Sequence, residues 1–239
     1  DRNEDRYMIT SHVDGRMSLP RAIAVAMLTA LALSMAPPAI ATAGEPCDWA
    51  VGVAKVDITP NYPIRLNGFG GRRTESEGVT QRIWAKAMAI GTDDEGPLVL
   101  IAVDSLGLRL PMVEEVAARL KEKAGIRRGR VAVTFSHSHT TPKVNGAADT
   151  IFSTPIPREH QARIDRYTRQ LTDCLEEAAL AALADRRPAR LSWAVGKVDF
   201  AKNRRTQGGP VDHDLPMLVV QEPGGRIRAI YVSYACHCV

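Results

Sequence analysis

An α/β fold, with a mixed β-sheet flanked by helices, is what this sequence predicts, and three observations carry the prediction. Leu98-Val-Leu-Ile-Ala-Val103 is an uninterrupted apolar run, as expected of a strand covered on both faces. Residues 111–124 place Val113, Val116 and Leu120 on one helical face, with Pro111 in the first turn and Gly125 as the stop. Val131-Ala-Val-Thr-Phe135 then supplies five β-prone residues. Strand, helix and strand in that order make a βαβ unit with an expected right-handed crossover.

The remaining elements follow from similar signals. Val51-Gly-Val-Ala-Lys-Val-Asp57-Ile-Thr-Pro60 reads as a strand running into a proline-ended turn. Asn67-Gly-Phe-Gly-Gly-Arg-Arg73 is a glycine-rich loop without the spacing of a P-loop or a dinucleotide fingerprint, so it is expected to be structural or to rim a substrate. Residues 83–90 form a strand before the turn Asp93-Asp-Glu-Gly96. Asp104, just past an apolar strand, suits either a cap or turn, or an outer partner for a metal-bound histidine. Residues 143–156 are an irregular loop. Residues 158–184 carry Ile164, Tyr167, Leu171, Leu175, Ala178 and Ala182 at helical spacing, which is core packing. A strand over 191–200 leads into Lys202-Asn203-Arg204-Arg205-Thr206, and strands at 215–221 and 226–234 are joined by the hairpin signal Pro223-Gly-Gly225.

Composition narrows the classes. The 239 residues are 45% hydrophobic and 24% charged, which is globular, and the net charge of +4 is spread without the basic clusters of a nucleic-acid binder. Residues 1–43 read as an upstream extension plus a signal peptide: a cationic start at Met17 to Arg21, an apolar run over 22–33, and an A-x-A site at Ala41-Thr-Ala43. Export to the periplasm or the extracellular space is therefore expected, with cleavage near Ala43. Residues 44–239 remain as one domain. Cys47 and Cys174 are isolated, and Cys236 and Cys238 flank His237 with thiols directed away from its face, so buried structural thiols are expected.

The candidate site begins where the strand at 131–135 meets Ser136-His137-Ser-His139-Thr-Thr-Pro142. On an extended strand His137 and His139 share one face, about 7 Å apart, and Ser136 and Ser138 share the other. Two imidazoles so placed suit one metal, or a metal and a substrate. A third imidazole, His237, closes the strand at 226–234.

The order D-I-T-P (57–60), H-S-H-T-T-P (137–142), N-R-R-T (203–206) and Y-A-C-H (234–237) resembles the amino-terminal catalytic domain of the neutral/alkaline, non-lysosomal ceramidases. The resemblance implies that His137 and His237 bind a zinc ion, that His139 lines the catalytic pocket and moves a proton, and that Arg204 holds an oxyanion or a substrate hydroxyl. It further implies a small lipid-like amide substrate met at the periphery of a membrane. The family's other ligands, a Glu and a Tyr, and its serine motif lie beyond Val239, so a carboxyl-terminally truncated domain is expected. The family's usual H-T-H-S-G-P and N-R-S-P are altered here, which shifts the expected acyl or sphingoid specificity more than the metal and makes Arg205 a second candidate for the arginine role.

Two other readings remain open at this level. A different exported metallohydrolase is one, although a metallo-β-lactamase would need Asp-His where Thr141 and Pro142 stand, and an amidohydrolase barrel would place its motif on an earlier strand. A non-catalytic binding module on the same scaffold is the other.

Overall fold

A computed structural model of the chain describes residues 49–237; the expected leader, its cleavage site at Ala43, Cys47 and Cys238 lie outside the described residues. Four strands form the first layer: β1 (Trp49–Asp57), β2 (Trp84–Ile90), β3 (Leu98–Val103) and β4 (Val131–Phe135). β1, β2 and β3 pair antiparallel. β4 lies parallel to β3, and a parallel neighbour requires a crossover, which helix α1 (Leu110–Ala124) provides. The helix ends where Gly125 takes the left-handed conformation, φ 69°, and Lys121 and Lys123 place positive charge on its last turn.

Helix α2 (Arg158–Ala184) spans the residues that its apolar stripe marks out, and Ile164, Tyr167, Leu171, Leu175, Ala178 and Ala182 are all buried. They pack with Val116 and Leu120 of α1 against Ala85, Ala87, Ala89, Val99, Ile101 and Val103 of the sheet. Each large aliphatic side chain buried here contributes about 1.5–3 kcal/mol. The helix lies very close to β1 because position 52 is glycine: a methyl group there would fall 1.8 Å from the Ala182 carbonyl oxygen.

The opposite face of this layer is covered by strands rather than by a second set of helices. β5 (Arg187–Lys197) pairs with β1 only through Arg187, Pro188 and Ala189, and from Arg190 onward it pairs with β6 (Asp214–Gln221). β7 (Ile227–Val232) completes a seven-stranded order β4-β3-β2-β1-β5-β6-β7. The sheet then rolls over its own face, burying Val51, Met88 and Ile90 of the first layer against Ala189 and Val220 of the second. β7 crosses the first four strands: Arg228 donates to the Val51 carbonyl on β1, and three residues later the Tyr231 hydroxyl meets that of Thr134 on β4 at 3.1 Å. The two outermost strands of the order therefore meet, and their carboxyl ends emerge together.

Both helices consequently lie on one face, in three layers of helix, sheet and sheet. The sequence indicated strands and helices but not which face each covers, because the apolar run of β3 is equally satisfied by a helix or by another strand. Cys174 is half-buried, short of the full burial expected. Cys236 is exposed, contrary to the expectation of a buried thiol, because the chain past β7 has left the sheet and no layer covers it.

Candidate metal centre

Three imidazoles converge at the seam where β4 and β7 meet. The ring centroids of His137 and His139 are 5.0 Å apart, those of His137 and His237 5.0 Å, and those of His139 and His237 4.8 Å. Their ligand atoms all lie within 4.8 Å of one another, close enough to share one small ion. The sequence placed His137 and His139 on one face by strand alternation; the structure brings them together differently. β4 ends at Phe135, and His137 takes a left-handed conformation, φ 56°, which is uncommon for a residue with a side chain, though histidine adopts it more readily than most. Alternation does not separate the serines either, since Ser136 and Ser138 share a hydroxyl hydrogen bond of 3.4 Å.

His137 is oriented by the backbone. Its Nδ1 lies 2.7 Å from the Leu106 carbonyl oxygen, which can only accept, so Nδ1 carries the proton and Nε2 presents its lone pair. A carbonyl thus fills the outer role for which Asp104 was one candidate. Asp104 instead accepts from the Trp84 amide at 2.9 Å, tying the bend after β3 to the start of β2, whereas the cap position of α1 is held by Arg109.

His139 differs. Neither Nδ1 nor Nε2 has a hydrogen-bond partner of ordinary geometry, although both are buried; the Gly68 amide comes near enough only to offset part of the effect of that burial. Burial, followed by the charges of His137 and His237, pushes its pKa below the ordinary imidazole value, so it is neutral at pH 7. A buried, neutral, unpartnered imidazole nitrogen beside two others is costly unless something takes its lone pair. A borderline divalent metal suits that donor set, whereas a hard cation would prefer oxygen.

The glycine-rich loop closes over His139. Gly68, φ 96°, sits so near that a methyl there would fall 2.6 Å from both Cα and Cβ of His139, and the Phe69 ring meets the imidazole edge-on at 5.2 Å. Arg72 donates through Nη1 to the carbonyls of Asn67 and His139. Asn67, fully buried, is itself held by the carbonyl of Ala147 at 3.0 Å. The sequence carried only a weak pointer to this clasp, the density of glycines, and nothing in the spacing connects position 68 or 72 with position 139.

Arg204 lies in the exposed loop between β5 and β6, where the Asn203 side chain accepts from the amides of Arg205 and Thr206. Among the described residues no hydrogen bond, ion pair or ring contact joins Arg204 to the three imidazoles.

Residues 49–208 match the family described as neutral/alkaline non-lysosomal ceramidase, N-terminal. The chain belongs to that family. No curated protein matches the sequence. Among solved structures, neutral ceramidase from Pseudomonas aeruginosa is similar with a TM-score of 0.64 at 20% identity, over 79% of this chain and 31% of that one. A ceramidase complexed with C2 is similar with a TM-score of 0.62 at 20% identity, over the same shares. These likenesses show a ceramidase-like α/β fold, and the chain spans 31% of the length of either structure.

Proposed function

We propose that this chain carries the metal-binding part of an exported, zinc-dependent hydrolase that cleaves the N-acyl bond of a ceramide-like amide. The observation that carries the reading is the convergence of the pair His137 and His139 with His237, about 100 residues farther along the chain, in a member of the ceramidase family. His137 and His237 hold the zinc. When bound, zinc polarises an amide carbonyl and lowers the pKa of a coordinated water or hydroxyl toward about 7.

The chain's own residues supply the rest. The Leu106 carbonyl keeps the His137 proton on Nδ1, so its Nε2 donates without first losing a proton. His139, neutral and with unpartnered nitrogens, takes a proton from the attacking hydroxyl and returns it to the departing amine. Arg204 extends a rigid fork of donors from an exposed loop and holds a substrate hydroxyl or the developing oxyanion, with Arg205 beside it as the alternative. A two-chain amide of this kind resides in lipid, so the enzyme meets its substrate at a membrane surface. Among the described residues no helix is long and apolar enough to cross a membrane.

Elemental analysis of the full chain and of the His137→Ala, His237→Ala double variant tests the reading. About one zinc per chain, lost in the variant, is expected; no zinc in either protein overturns it. Zinc without release of fatty acid from an N-acyl sphingosine would leave a binding module. For export, N-terminal sequencing of protein recovered outside the cytoplasm should begin at Gly44, and a retained Met17 would refute cleavage.

A further inference from the structure

Metal-binding imidazoles are ordinarily oriented through the ring nitrogen that faces away from the ion. His137 follows that arrangement, through the Leu106 carbonyl. His139, the proton-transfer group of the proposed function, lacks such a bond, because neither of its ring nitrogens has a partner of ordinary geometry. Its orientation comes from its backbone and from the faces of its ring, where, besides the imidazoles of His137 and His237, the contacts belong to the loop at 67–73. Arg72 is the side chain that ties this loop to the histidine's main chain, bonding the carbonyls of Asn67 and His139 from one nitrogen. Its guanidinium also lies over the Phe69 ring, 4.8 Å from the centroid, and Phe69 in turn meets the His139 imidazole at 5.2 Å. Arg72 is itself anchored: its carbonyl accepts from Nη2 of Arg65, which is 1% exposed.

We propose that Arg72 is a positioning residue for His139, fixing the imidazole in the cluster through the carbonyl bridge and through Phe69. Arginine suits the task because its rigid planar group can lie flat on a ring while its fixed fork of donors bonds the carbonyls, whereas an ammonium is a compact point charge that cannot stack face to face. The consequence for chemistry rests on the proposed role of the cluster, but the positioning itself does not.

The test uses the full chain with labelled histidine and phenylalanine, and reads by NMR the cross-relaxation between the Phe69 and His139 rings. Arg72→Met keeps the aliphatic stem and removes the donors. It should lower the Phe69–His139 signal at least about threefold and broaden the His139 ring resonances, with the His137 ring unaffected and the far-ultraviolet circular dichroism unchanged. Arg72→Lys should fall between the two. An undiminished signal in Arg72→Met overturns the proposal; should that variant fail to fold, an undiminished signal in Arg72→Lys does so instead. Zinc added to the same wild-type sample separates the two readings. If it shifts no histidine resonance, the metal reading fails, and the ring signal still decides the role of Arg72.

Discussion

Replacing Gly68 with alanine is the sharpest single perturbation of the site. The added methyl would stand 2.6 Å from Cα and Cβ of His139 and 2.7 Å from its Cγ. Non-bonded carbons settle at about 3.5–4.0 Å, so the two loops must part by about 1 Å. No rotamer change relieves this, because the atoms struck are the main chain and the root of the side chain. Overpacking of this kind costs about 1–3 kcal/mol. The backbone adds to it: φ at position 68 is 96°, and a residue with a β-carbon pays about 1–3 kcal/mol in such a region. The total is about 2–6 kcal/mol. Urea unfolding followed by circular dichroism measures the loss, and a zinc titration of the folded variant reads the displaced imidazole. A Gly68→Ala protein that unfolds at the wild-type midpoint and binds zinc with wild-type affinity would refute the packing of this loop on His139.

Gly52→Ala should be more damaging, at about 3 kcal/mol or more, because its methyl would meet the Ala182 carbonyl at 1.8 Å and push α2 off β1; thermal unfolding and soluble yield report it. Asp104→Ala should cost about 1 kcal/mol through the lost bond to the Trp84 amide and leave zinc affinity unchanged, whereas weakened zinc binding would restore Asp104 to the site. Glu176 is buried, which pushes its pKa up, but Lys123 and Arg119 outweigh that and hold it below the ordinary 4.5. A carboxylate lowered in the folded state adds stability above its unfolded value and loses it as pH falls through the folded one, so Glu176→Gln should cost about 1–3 kcal/mol at pH 7, and the cost should shrink as pH falls below the ordinary carboxylate range. A urea series over pH for both proteins measures the difference; a constant gap would refute the ion-pair assignment.

What the residues reveal by themselves divides along a physical line. α2 was legible to its ends, since a stripe at 3.6-residue spacing over 27 residues admits no other periodicity. The β3-α1-β4 unit was legible for the same reason, with proline and glycine marking the helix ends. The three histidines were legible through their family motifs and their places after strands. Their convergence was implied by the family resemblance alone, because it depends on the roll of the sheet, and no local pattern encodes which strand covers which face. The left-handed His137 was hidden as well: alternation assumes a strand that continues, and β4 stops two residues short. Gly68 and Arg72 act on His139 across about 70 residues of chain, and Asp104 offered two local roles between which only the neighbouring Trp84 amide decided.

The division of β5 between two partners makes it a lever. Its fulcrum is the short stretch at 187–189, and Val232 at the end of β7 pairs with Met217, which pairs with Ala194, five residues past that fulcrum. At about 3.3 Å per residue the arm is about 16 Å long. A tilt of about 5° at Ala189 therefore carries the strand end that leads to His237 by roughly 1.4 Å relative to the pair on the other wing. Metal bonds tolerate about 0.2 Å, which corresponds to less than about 1°. Pro188 and Ala189 lie far along the chain from the three imidazoles, yet the angle set at 187–189 bears on whether the third one arrives within bonding reach.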